Sequence, residues 1–190
     1  MSSGWSYKKQ INLLEGSILL QRREFQKALA SYKVTLADDP ENLEALYGLG
    51  MICQYQEDFE GAREYFKRAL NLEDVSSQIY NSYGIVSAYL GDHDSAIDAF
   101  AKAVELDPDF LDAYKNLADS YIENGDFDRG IQTYQEILKE HPGDVETLLS
   151  VAELYSETGD EESTRYLCEK VISVDPENDT AKEWLAKLPA

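Results

Sequence analysis

The chain has 190 residues, 43% of them apolar, and a formal net charge of −20. So large an apolar share excludes a disordered acidic tail, and the charge disfavours nucleic acid and anionic membranes while favouring basic partners. Two cysteines, Cys53 and Cys168, stand far apart and outside any CxxC or CxxH spacing, which excludes a disulfide framework or a zinc site built on them.

The length predicts one domain spanning 1–190. The opening "MSSGWSYKKQ" lacks the apolar run of a signal peptide, and no later run is long enough to span a bilayer. These features lead us to expect a soluble, cytoplasmic protein. Trp5 and Tyr7 have no repeat before them. They are expected to fold back on helix one, the alternative being a self-association patch.

Helical periodicity then predicts helices over 7–21 and 25–37, closed by Pro40, and over 43–56 and 59–72. Helices follow over 77–90, 93–105, 111–124, 127–140, 145–158 and 161–173. Gly91-Asp92, Gly125-Asp126 and Gly159-Asp160 recur every 34 residues, and Pro108, Pro142 and Pro176 keep the same interval, with Asp74 in the slot where a proline is missing. A fixed period of this size marks an array of helical pairs. Glycine suits the left-handed residue that ends a helix. The Asp after it can cap the next helix, and proline ends the second helix of a pair. A last helix over 179–188, with Trp184, Leu185 and Leu188, is expected to cover the exposed end of the array.

The stretch "GDHDSAIDAFAKAVELDPDF" (91–110) gathers acids around His93. A calcium loop beginning at Asp92 would need an oxygen ligand, Gly and Glu where Ala96, Ile97 and Ala103 stand. His93 has no second His or Cys at zinc-ligand spacing. The acids read instead as a cap and first turn favoured by the helix dipole. Gly48 and Gly50 lack the third glycine of a dinucleotide fingerprint, and Asn178-Asp179-Thr180 reads as a helix cap rather than a glycosylation acceptor. No residue is marked as catalytic, so neither an enzyme nor a metal or cofactor is expected. The cysteines read as buried apolar substitutes.

In register the chain divides into repeats 9–42, 43–76, 77–110, 111–144 and 145–178. Leu46, Leu49, Gly50, Ala62, Phe66 and Ala69 fill the characteristic slots of the second. Tyr80, Gly84, Ala96, Phe100, Ala103 and Pro108 fill those of the third, and Tyr114, Leu117, Ala118, Tyr121, Tyr134 and Pro142 those of the fourth. This pattern resembles the tetratricopeptide repeat (TPR) family. Asn12, Cys53, Gly130, Thr164 and Cys168 depart from it. The resemblance implies an all-α fold, a right-handed α-solenoid of antiparallel helix pairs. It also implies that function lies in a concave groove lined by the first helix of each pair.

The family's groove positions, carried onto this chain, divide in two. Repeats two and three present Tyr47, Met51, Gln54, Tyr55, Asn81, Ile85, Ala88 and Tyr89, an aromatic and adaptable surface. Repeats four and five present Asp112, Asp119, Ile122, Glu123, Glu146, Leu149, Glu153 and Glu157, opposed by Lys115. Net charge runs 0, −4, −5, −5 and −7 along the five repeats. No three consecutive repeats supply the cations with which some TPR proteins grip a C-terminal carboxylate, so that mode is not expected. The expected function is a protein–protein interaction scaffold taking a protein or peptide with apolar and basic segments. Nucleic acid and membrane insertion are not expected, and homo-oligomerisation is left open. The alternative is a secretion or assembly chaperone holding an unstable client.

Overall fold

A computed structural model describes residues 3–189, with side chains from Tyr7 onward. Eleven helices and no strand are present among them. They are α1 (Ser3–Gln21), α2 (Phe25–Asp38), α3 (Leu43–Tyr55), α4 (Phe59–Leu70), α5 (Ser77–Tyr89), α6 (His93–Leu106), α7 (Leu111–Glu123), α8 (Phe127–Glu140), α9 (Val145–Thr158), α10 (Glu161–Val174) and α11 (Asp179–Lys187). The fold is all-α, built of helix pairs of the expected type. Trp5 lies outside the described side chains. Tyr7 does not fold back on the first helix: it belongs to α1, and its side chain is largely exposed.

The local chemistry repeats with the sequence. Asp58, Asp92, Asp126 and Asp160 each precede the second helix of a pair and accept a backbone N–H three residues on, from Gly61, Ser95, Arg129 and Ser163 at 3.0–3.2 Å. Each thereby satisfies one of the orphan donors of a helix start. Asn42, Asp144 and Asn178 do the same for α3, α9 and α11. Asp92 is therefore a cap. Pro40, Pro108, Pro142 and Pro176 each stand two residues past the end of a helix, where the missing N–H is harmless.

The turn within each pair needs one left-handed residue. Gly91, Gly125 and Gly159 supply it at φ +74°, +82° and +77°. In the first two pairs the same turn position holds Arg23 (φ +58°) and Glu57 (φ +61°), side-chain residues in a conformation that favours glycine.

The chain forms two compact units, residues 1–113 and 114–190, with the boundary inside α7. In the first, α1 packs on α2, α3 on α4 and α5 on α6, while α2–α3 and α4–α5 join successive pairs. Its core centres on Tyr32, Leu49 and Ile52, on Leu46, Ala69 and Ile79, and on Phe66, Val86 and Ala99. Close helix approach depends on missing side chains. A Cβ on Gly16 or Gly48 would meet the Tyr32 ring at 2.7 or 2.4 Å. In the second unit α9 packs on α10 and on α8, and α11 lies against α10. Tyr134, Ile137, Leu148, Leu167, Cys168 and Val171 are buried there, with Ala181 of α11 closing the end.

Candidate partner-binding surfaces

The first helices of the pairs carry the side chains expected to meet a partner. On α3, Tyr47, Met51, Gln54 and Tyr55 recur on one helix face, and on α5 Asn81, Ile85 and Tyr89 do the same. The two helices touch: Ser82 Oγ donates to Met51 Sδ at 3.7 Å. Tyr47 is half-buried, its ring 5.9 Å from that of Phe66. Met51 and Ile85 are also half-buried, and Asn81 is nearly enclosed. The Gln54 side-chain oxygen is shut off from solvent without a hydrogen-bond partner among the described residues.

Tyr55 and Tyr89 expose 50% and 69% of their surface, yet neither ring stands alone. Tyr55 stacks on Phe25 with centroids 5.6 Å apart, and Arg23 lies 5.7 Å over its ring. Tyr89 stacks on Phe59 at 4.6 Å with planes 6° apart. In both cases the phenylalanine opens the second helix of the preceding pair, thirty residues upstream. Each ring is thus braced by the fold and still presents much of its surface to solvent. Sequence reading missed Phe25 and Phe59 as supports. The signal was the shared thirty-residue separation, visible only once the register is known.

The C-terminal unit is acidic and partly self-neutralised. Lys115 on α7 is held by Asp144 at 3.0 Å and by Glu146 at 2.5 Å. Burial works against its charge, but the bonds to Glu146 and Asp144 outweigh it and raise its pKa. Lys115 therefore ties α7 to the start of α9. Asp119, further along α7, accepts from the hydroxyl of Tyr134 on α8. Surrounding protein pushes the Asp119 carboxyl up, against the opposing effect of the Tyr134 bond, although the residue keeps an exposed edge. Burial, then Asp119, push the Tyr134 phenol well above its ordinary value. Glu123 ends α7 and is exposed. Glu153 and Glu157 are exposed on one face of α9, with no ion pair to either among the described residues.

No group of three or more His, Cys, Asp or Glu side chains able to hold a metal is gathered among the described residues. Nor is any described helix long and apolar enough to cross a membrane. What these surfaces offer is stacking, dispersion and exposed carboxylate charge: the chemistry of binding.

Profiles described as tetratricopeptide repeat match residues 13–77 and 54–109 in one case and 88–151 in another. No curated protein matches the chain. Among solved structures, MamA superimposes with a TM-score of 0.82 at 26% identity, over 97% of this chain and 100% of that one. YrrB, described as a TPR protein with an unusual peptide-binding site, gives 0.78 at 21% identity, over 88% and 87%. PilF of Pseudomonas aeruginosa gives 0.77 at 16% identity, over 97% and 90%. The last two likenesses speak for the fold alone.

Proposed function

The chain belongs to the tetratricopeptide repeat family, and from that premise we propose that it is a cytoplasmic, non-catalytic scaffold that binds a peptide or helix of a partner protein through the first helices of its pairs. The observation that carries this reading is the outward aromatic surface of α3 and α5. Tyr55 and Tyr89 are braced by Phe25 and Phe59 and still largely exposed. A ring held on one side loses little freedom when a ligand covers the other, which favours binding. Tyr47, Met51, Gln54, Asn81 and Ile85 complete that surface and take an apolar segment.

The acidic residues of the C-terminal unit take Lys or Arg of the same partner. Glu153 and Glu157 supply charge on α9, while Asp119 and Glu123 supply it on α7, where Lys115 positions rather than opposes. That YrrB, of the same fold, has a peptide-binding site supports the peptide-binding reading. The two free cysteines fit a reducing compartment.

Affinity capture from the source cell, followed by binding of the captured partner's peptides at several salt concentrations, tests the reading. Tyr55→Ala with Tyr89→Ala should weaken binding by at least tenfold at every salt concentration. Glu153→Lys with Glu157→Lys should weaken it mainly at low salt and flatten the salt dependence. Retention of full affinity by both double variants would sink the assignment.

A further inference from the structure

The outer face of α1 carries an apolar stripe. Tyr7, Ile11, Leu14 and Ile18 are 71%, 56%, 62% and 40% exposed. Their spacing of 4, 3 and 4 puts all four on one side of the helix. Gly16, which receives the Tyr32 ring, lies on the opposite side.

The 34-residue register identifies this face. Ile11, Leu14 and Ile18 correspond to Ala45, Gly48 and Ile52 on α3, and to Ile79, Ser82 and Val86 on α5. All six are buried. In the second and third pairs, then, this stripe stacks on the preceding pair; in α1 it is open.

One residue sets α1 apart from α3 and α5. At the middle position α3 has Gly48, because the Tyr32 ring of the preceding pair fills that space: a Cβ there would lie 2.4 Å from the ring. α5 has Ser82 at the same place. Leu14 would drive a full side chain into such a ring. The stripe is therefore not shaped for another pair stacked in the same way. It is shaped as a helix seam, with Ile at one core position of the heptad and Leu at the other.

Charge selects the occupant. Lys8 and Glu15 are exposed on the same flank of the stripe, seven residues apart, and no ion pair to either is present among the described residues. The opposite flank carries the uncharged Gln10 and Ser17. If a second α1 lies antiparallel, with the two-fold axis between Ile11 and Leu14, Ile11 meets the partner copy's Leu14. Lys8 then meets its Glu15, and Glu15 its Lys8. A parallel pair brings neither match.

We propose that the stripe is a self-association face, on which α1 of a second copy packs antiparallel to give a two-fold symmetric dimer closed by two reciprocal Lys8–Glu15 pairs. The interface is isologous, so it stops at two copies. Its small area makes the dimer weak and concentration-dependent.

Light scattering of the 190-residue chain over a concentration series reads the mass. It should rise from 21.5 kDa toward twice that value. Ile11→Glu with Leu14→Glu should hold it at the monomer, with helix content and melting unchanged because both positions are exposed. Lys8→Glu alone and Glu15→Lys alone should each raise the dimer dissociation constant roughly tenfold, by turning two attractions into two repulsions. An equimolar mixture of those two single variants should dimerise again, since each Glu then faces a Lys. A monomer at all concentrations would overturn the proposal. So would a dimer that survives Ile11→Glu with Leu14→Glu, or single variants whose mixing restores nothing.

Discussion

Gly50 lies directly against the ring of Phe66: a methyl group on its Cα would stand 2.4 Å from Cε1 of that ring. The relationship recurs one repeat later, where Gly84 would bring its methyl to 2.6 Å from Phe100. Phe66 is fully buried and has no room to retreat. Replacing Gly50 with Ala gains about 1 kcal/mol of helix propensity but forces an overpacking that costs about 1–3 kcal/mol. The Gly50→Ala chain should therefore be less stable by about 1 kcal/mol, and Gly50→Val by considerably more. Urea unfolding would show a lowered midpoint with an unchanged slope.

Glu57 adopts φ +61° at the turn position that Gly91, Gly125 and Gly159 fill elsewhere. The left-handed conformation costs a side-chain residue about 1–2 kcal/mol, part of which glycine gives back through its greater freedom in the unfolded chain. Glu57→Gly should raise stability by about 0.5–1 kcal/mol. Gly91→Glu, the reciprocal change, should lower it by a similar amount. Thermal melts of both variants check the sign, and a destabilised Glu57→Gly would mean that the glutamate side chain holds the turn in some other way.

The sequence was informative where the chemistry is local. Gly-Asp and proline at fixed intervals name the turn, the cap and the helix end, and the structure places Asp92, Asp126 and Asp160 as caps with the helices within a few residues of their expected bounds. The left-handed turns at Arg23 and Glu57 were not visible, because neither residue advertises the conformation that its register imposes. Tyr55 and Tyr89 could be assigned to a helix face, but not to Phe25 and Phe59, since such a stack depends on how one pair leans on the next. Lys115 illustrates the same limit. Spacing put it among the acids of α7, and only the path of the α8–α9 turn brings Asp144 and Glu146 to it.

Asp144 joins a cap to an ion pair, which gives it a readable pH dependence. Partial burial pushes its carboxyl up, but the bonds from Thr147 and the Lys115 ammonium outweigh this, and the net pKa is lowered from 3.8. A carboxylate lowered in the folded state is protonated first in the unfolded chain. Its contribution is therefore full above the unfolded pKa and is lost as the pH falls through the folded one. Asp144→Asn keeps an oxygen for the cap and removes the charge facing Lys115. At pH 7 the variant should be less stable by about 1 kcal/mol. Below pH 3.8 the difference should shrink and vanish. Asp119, whose carboxyl is raised, acts in the opposite sense, but it is common to both proteins and cancels in the comparison. Parallel urea titrations of the two chains between neutral and acid pH measure the difference directly.

Burial should make both Cys53 and Cys168 slow nucleophiles, with a neighbouring charge adding to the effect at Cys53. Burial raises the Cys168 thiol, and its surface is fully enclosed. Burial also raises Cys53, which is only half-buried, and the nearby Asp58 carboxylate adds to the effect by opposing the thiolate. Since the thiolate is the reactive form, a disulfide reagent at pH 8 should label Cys53 before Cys168, and Cys168 only as fast as the C-terminal unit opens. Asp58→Asn keeps the α4 cap, because an amide oxygen can still accept from Gly61, while removing the charge. Labelling of Cys53 should then quicken several-fold with Cys168 unchanged. If both thiols quicken together, the substitution has loosened the helix pair; if neither does, enclosure rather than the carboxylate controls Cys53.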